Sequence, residues 1–276
     1  MEIAGKVAVV TGAGGGIGRA TALALAAAGA DLALADIDEA AMARVAAEIR
    51  ALGRRCLTAL VDVASAEQVE ALAERTVKEL GAAHILVNNA GVGAGGFAHE
   101  IPLEDWRWSM GVNLWGPIHG TRSFVPRMIA KGEGGHIVNI ASVAGLVGVP
   151  LLGPYCMAKS ALVALSECTR AELAAERIGV SVLCPGFVAT EIFNKARSTK
   201  IEMTPGFLER HGIPPERVAR KVLRAIRGDR LYVLTHLSMH AAWLLKRFSP
   251  ALMNRLVRWV AGSRVAKASL GATRVP

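Results

Sequence analysis

A chain of 276 residues with 52% hydrophobic content can bury a large core and lies near the size at which single domains stop growing. It has no uninterrupted apolar run of the ~18 residues that a membrane-spanning helix needs, and its opening MEIAGKVAVVTG passes directly into a strand pattern with no signal-peptide core, so a cytoplasmic protein is expected. The formal net charge of +9 is unevenly placed: up to residue 189 acidic side chains slightly outnumber basic ones, and beyond Asp229 every charged side chain is basic.

Short Val/Ile/Leu/Ala runs alternate with longer segments of helical period. The pattern predicts strands at 6–11, 31–35, 56–61, 84–88, 136–141, 180–184 and 230–234. Helices are predicted at 17–28, 38–52, 66–80, 104–130, 156–177 and 215–227. Strands that are apolar on both faces belong to a parallel sheet covered on both sides. The expected fold is therefore α/β, a single doubly wound parallel β-sheet (Rossmann fold) of about seven strands over residues 1–235, followed by a helical extension over 236–276. Cys56, Cys156, Cys168 and Cys184 are far apart, with neither C-x-x-C spacing nor a histidine at zinc-ligand spacing. They read as reduced, mostly buried thiols, and no metal site is expected.

The first strand ends in Thr11-Gly12-Ala13-Gly14-Gly15-Gly16-Ile17-Gly18, and a helix begins at once. A dinucleotide pyrophosphate is anionic and bulky, so backbone N–H groups at a helix N-terminus must approach it closely, and glycine leaves the room. Asp36 ends the next strand, where a carboxylate accepts from both adenosine ribose hydroxyls and repels a 2′-phosphate. That favours NAD over NADP, with Arg19 the one nearby cation that speaks for the phosphate. Asp38, rather than Asp36, suits the N-cap of the following helix.

The glycine pattern resembles the short-chain dehydrogenase/reductase family, and later motifs extend the likeness over roughly residues 5–235. Asp62-Val63 matches the pair that contacts adenine in that family. Asn88-Asn89-Ala90-Gly91 matches its N-N-A-G motif at the fourth strand's end. Asn113 matches its catalytic asparagine, Ser142 its serine, and Tyr155-Cys156-Met157-Ala158-Lys159 its Y-x-x-x-K pair. Pro185-Gly186, with Val188 and Thr190, matches the stretch that cradles the nicotinamide. The resemblance implies an NAD-linked hydride transfer with catalytic Asn113, Ser142, Tyr155 and Lys159. The cofactor would meet Gly12, Gly16, Ile17, Gly18, Asp36, Asp62, Val63, Asn89, Ala90, Gly91, Tyr155, Lys159, Pro185, Gly186, Val188 and Thr190. It also implies a homodimer or homotetramer.

The spacing makes chemical sense in its own right. Tyr155 and Lys159 are four apart on a helix and face the same way, so an ammonium can favour a phenolate that would otherwise form only near pH ~10. Ser142 would hold the substrate oxygen while Tyr155 moves its proton, and Asn113 would hold a water that links Lys159 to solvent. Apolar residues at Gly93–Phe97, Val143, Leu151, Leu152, Phe187, Ile192, Phe193, Met203, Phe207 and Leu208 suggest a hydrophobic secondary alcohol or its ketone. Two other functions fit parts of the pattern. One is a 3-oxoacyl-carrier-protein reductase using NADPH, docked by the basic C-terminal part, against which Asp36 argues. The other is a non-enzymatic dinucleotide sensor, against which the intact Tyr155 and Lys159 argue.

Beyond 235, two helices broken at Pro250 are expected. In the second, Leu252, Leu256, Trp259 and Val260 share one face and Arg255 and Arg258 another, and Trp243, Lys246, Arg247 and Phe248 repeat the combination. Such helices suit peripheral membrane contact, a subunit interface or a pocket cover. No nucleic-acid motif accompanies the basic tail, so nucleic acid is not an expected partner.

Overall fold

A computed structural model describes residues 1–190, 192, 196–198, 210 and 212–262. Seven parallel strands form one sheet in the order β3-β2-β1-β4-β5-β6-β7. They are β1 Val7–Thr11, β2 Asp31–Asp36, β3 Cys56–Leu60, β4 Ile85–Asn88, β5 Gly135–Ile140, β6 Ile178–Cys184 and β7 Tyr232–Leu234. The crossover segments are α1 Gly16–Ala27, α2 Glu39–Ala51, α3 Ala66–Leu80, α4 Leu103–Met110, α5 Gly116–Lys131, α6 Gly153–Glu172 and α7 Pro215–Gly228. After β7 come α8 Leu237–Phe248 and α9 Pro250–Gly262. This is the doubly wound Rossmann-type fold, and each strand lies within two residues of its predicted span.

Alternation along the strands builds both cores. Ala8, Val10, Leu32, Leu34, Ile85 and Val87 face Leu25, Met42 and Val222 of α1, α2 and α7. Val9, Ala33, Ala35, Leu86 and Ile137 face Leu72, Phe124 and Met128 of α3 and α5. Successive strand side chains point to opposite faces, and both faces are covered, so the strands read as unbroken apolar runs.

Two local features differ from the predicted pattern. The helix expected over 104–130 contains a π-turn, Gly111–Trp115, between α4 and α5. The helix expected from 156 begins at Gly153, because Pro154 sits in the first turn, where its missing N–H costs nothing. Asp38 caps α2 by accepting from Ala41 N, as its spacing predicts. Of the four cysteines Cys184 is buried, Cys56 and Cys156 half-buried, and Cys168, expected inside, is exposed on the outer side of α6. No helix among the described residues is long and apolar enough to cross a membrane.

A buried polar chain ties β4, β5 and α6 together. Asn88 Nδ2 donates to Asn139 Oδ1 at 2.8 Å, Asn139 Nδ2 to Ser166 Oγ at 2.9 Å, and Ser166 Oγ to Leu162 O at 2.7 Å. All three side chains are buried, so every partner lost leaves an unsatisfied group in a low dielectric. Replacing Asn139 with Leu is expected to lower the unfolding free energy by about 2–4 kcal/mol in urea titrations. A loss below about 0.5 kcal/mol would show that the chain does not pin α6.

Candidate active site

The strand order reverses between β1 and β4, so a crevice opens beyond their C-terminal ends. The Gly12–Gly18 loop leaves β1 on one side of it, and Asn89-Ala90-Gly91 leaves β4 on the other. Asn89 stitches the two: its Nδ2 donates to Thr11 O at 2.9 Å and Gly12 O at 3.0 Å, while Asn89 N and Ala90 N both donate to Thr11 Oγ1. A Cβ on Gly18 would overlap the Gly12 carbonyl oxygen and stand 2.6 Å from Asn89 Nδ2, so only glycine lets α1 start this close to the strand.

The loop fits a dinucleotide. Gly15, the residue before α1, offers no capping side chain, the first turn of α1 carries no acidic residue, and Gly15 and Gly16 are exposed beside half-buried Ile17. The N-terminal N–H groups and helix dipole thus face an open space suited to a diphosphate. Asp36 lies at the loop's edge, where its carboxylate accepts from Gly14 N at 2.7 Å and Asp38 N at 3.0 Å, leaving lone pairs for further donors. Arg19 is turned away into a two-point pair with Glu48 at 2.6 and 3.3 Å. Exposed Asp62 accepts from Ala64 N, while Val63 is buried against Gly116.

Across the crevice, Ser142 follows β5 by two residues and caps a short 3₁₀ turn, Val143–Gly145, accepting from Ala144 N at 3.1 Å. That turn is held by Val143 N donating to Pro185 O, Ser160 Oγ to Gly145 O, and Lys246 Nζ to Leu146 O. Gly186 N donates to Thr235 Oγ1 at 3.2 Å, and Val188 forms a parallel bridge with Ile213. Thr190 Cγ2 lies 3.0 Å from where a Cβ on Gly16 would sit, so the segment after β6 closes over the start of α1.

Tyr155 and Lys159 are both buried on α6, with Lys159 Nζ 5.7 Å from the Tyr155 ring centroid and donating to Ile140 O at 2.8 Å. Burial pushes the Tyr155 phenol up to about 12, against the opposing pull of the Ser142 hydroxyl. Burial also brings Lys159 down to about 8. In the chain alone, desolvation of the phenol therefore outweighs the help that an ammonium was expected to give it.

Asn113 sits in the π-turn, fully buried, with Oδ1 accepting from Val92 N at 3.1 Å and Nδ2 donating to Val92 O at 2.8 Å and Ser109 Oγ at 3.2 Å. One Oδ1 lone pair remains. The point where a Cβ on Gly91 would stand is 3.0 Å from Asn113 Oδ1 and 3.5 Å from Lys159 Nζ, so glycine keeps a polar space open between the two.

Of the apolar wall, Gly96 N donates to Leu151 O at 2.8 Å, Gly96 bridges Leu152, and Ala94 bridges Arg197. Leu151 takes the left-handed backbone (φ 66°) in doing so. Phe193, Met203, Phe207 and Leu208 lie outside the described residues.

A family model described as short chain dehydrogenase matches residues 6–201. The chain belongs to the short-chain dehydrogenase family. This short-chain dehydrogenase is 46% identical over 183 residues to the probable oxidoreductase EphD of Mycobacterium bovis, spanning 66% of the chain but only 31% of that relative. It is 36% identical over 262 residues to the putative oxidoreductase SadH of Mycobacterium tuberculosis, covering 92% of the chain and 94% of SadH. The crystal structure of a short-chain dehydrogenase/reductase from Burkholderia phymatum in complex with NAD superposes with a TM-score of 0.83 at 40% identity, over 91% of this chain and 96% of that one.

Sequence reasoning gave no role to several residues that hold this short-chain dehydrogenase's site together, Thr11, Asn139, Ser166 and Thr235, and it placed Lys246 on an interfacial face instead. Thr11 alone left a local signal, a hydroxyl at the strand's end beside the glycine loop, because the partners of the others are distant in the chain.

Lys159 provides a linkage test. Its folded pKa of about 8 lies below the usual lysine value of 10.5, so between these values the unfolded chain binds more protons and stability rises with pH. Between pH 8 and 10 the unfolding free energy of the parent should rise by roughly 2–3 kcal/mol relative to Lys159→Met. Parallel curves for the two would contradict a buried ammonium.

Proposed function

We propose that this chain is an NAD(H)-linked oxidoreductase that moves a hydride between the nicotinamide and the carbinol carbon of a hydrophobic secondary alcohol or its ketone. The observation that carries this reading is the convergence of buried Tyr155 and Lys159 with Ser142 on the crevice whose other lip is the open glycine loop. Asp36 at the loop's edge, with Arg19 committed to Glu48, favours an unphosphorylated ribose and so NAD. The NAD-bound Burkholderia relative agrees with that preference.

When bound, the oxidised nicotinamide supplies the hydride acceptor and a positive charge. On the chain's side, Ser142 holds the alcohol oxygen by a hydrogen bond while Tyr155 takes the hydroxyl proton as the C–H hydride leaves, giving the ketone. In reduction the Tyr155 phenol returns that proton to the carbonyl oxygen. Lys159 supports the phenolate and passes protons outward through a water held beside Gly91 by the free lone pair of Asn113. The apolar walls at Val143, Leu151 and Leu152 suit a hydrocarbon-rich substrate. Trp115 of the π-turn, Ile129 of α5 and Met157 of α6 are exposed large apolar side chains that suit assembly into a homodimer or homotetramer. The four free cysteines accord with a cytoplasmic place.

Replacing Tyr155 with Phe should lower kcat by about a thousandfold or more, because a general acid–base is lost, while Kd for NADH changes less than threefold. Turnover within about tenfold of the parent would remove Tyr155 from the chemistry.

A further inference from the structure

The two helices after β7 bury one side and leave another bare. Met239, Trp243, Met253 and Val257 pack on a patch that includes Leu146, Leu162 and Leu234. Lys246 turns to the same body, donating to Leu146 O at 2.6 Å, while Arg247 stays exposed and lies 5.3 Å over the ring of Trp243 on its own helix. Of the second interfacial group expected from the sequence, Trp243 and Lys246 brace the helices against the body, while Arg247 and Phe248 stay exposed.

The far side of α9 takes no part in that packing. Leu252, Leu256 and Trp259, at i, i+4 and i+7, form one stripe and are 51%, 42% and 72% exposed; Phe248, at the end of α8, is 85% exposed. At 3.6 residues per turn, Arg255 falls about 40° from Trp259 at the edge of this stripe and Arg258 about 60° further round, and both are exposed. Neither helix carries an acidic residue, and Asp229 is the last one in the chain.

Scattered exposed leucines are ordinary, but a stripe that ends in Trp and Phe calls for an occupant. A two-fold contact with a second copy through this face would press arginines against arginines with no carboxylate to separate them. An anionic lipid surface suits every feature. Leu252, Leu256 and Phe248 would enter the acyl boundary, the Trp259 indole would sit at headgroup level, and the arginine stems would follow the apolar surface while their guanidinium groups reach lipid phosphates. With 13 residues, α9 is about 20 Å long, suited to lying in the interface and too short to cross it. We propose that α9, with Phe248, docks this short-chain dehydrogenase on anionic bilayers. Through Lys246 the docked helices would hold the turn that carries Ser142 close to that surface.

The test is co-sedimentation of the full chain with vesicles of phosphatidylcholine alone and of phosphatidylcholine with phosphatidylglycerol, at low and high salt. Sedimentation velocity without vesicles runs in parallel. Partition into the mixed vesicles should be about tenfold tighter or more than into the neutral ones and should weaken with salt. Arg255→Glu/Arg258→Glu and, independently, Leu256→Asp/Trp259→Asp should each weaken it by about tenfold or more with unchanged circular dichroism melting. Equal partition into both vesicles, partition into neither, or variants that bind like the parent would overturn the proposal. So would variants that lower the sedimenting mass while vesicle binding stays the same, since that result assigns the stripe to a second copy.

Discussion

The placement of β1 beside β4 is the constraint on which the rest depends. Their following segments leave toward opposite edges of the sheet, so no crossover covers the C-terminal ends of these two strands, and the chain must expose backbone there. Bare N–H groups at the start of α1 face that gap. The crevice draws an anion by its dipoles before any charged side chain is considered, and the side chains around it refine which anion and which reaction. In the proposed function Asp36 serves the first choice, and Ser142, Tyr155 and Lys159 serve the second.

Chemistry at the other lip depends on burial that the chain resists. A buried phenol and a buried ammonium each shift toward the neutral form, Tyr155 up to about 12 and Lys159 down to about 8. The fold maintains both by tying α6 to the sheet through Asn139 and Ser166 and by holding Lys159 on Ile140 O. In the proposed reaction a positive ring beside the phenol would oppose that shift at Tyr155.

Most of the frame was legible because its signals are local. Each strand is a short apolar run bounded by a loop, and the alternation of runs with helical segments leaves a parallel sheet as the economical arrangement. Tyr155 and Lys159 were legible as an i, i+4 pair. What could not be read came from partners far apart in the chain. Asn139 reads as one more strand residue until Asn88 and Ser166 meet it. The π-turn around Asn113 stays hidden because a single five-residue turn is too short to leave a period of its own between the two helical segments. Likewise Lys246 reads as a surface charge, and only the packing of α8 shows it turned inward.

The central claim is that the crevice takes NAD(H) and transfers hydride to or from an apolar carbonyl centre. Its most direct test is turnover of a panel of hydrophobic secondary alcohols and ketones, followed by nicotinamide absorbance with NAD(H) and NADP(H) in parallel. The account predicts turnover with NAD(H) and at least about tenfold less with NADP(H), the 2′-phosphate being repelled by Asp36. Turnover mainly with NADP(H) would contradict the role given to Asp36, and NADH binding without turnover of any panel member would contradict the reaction itself.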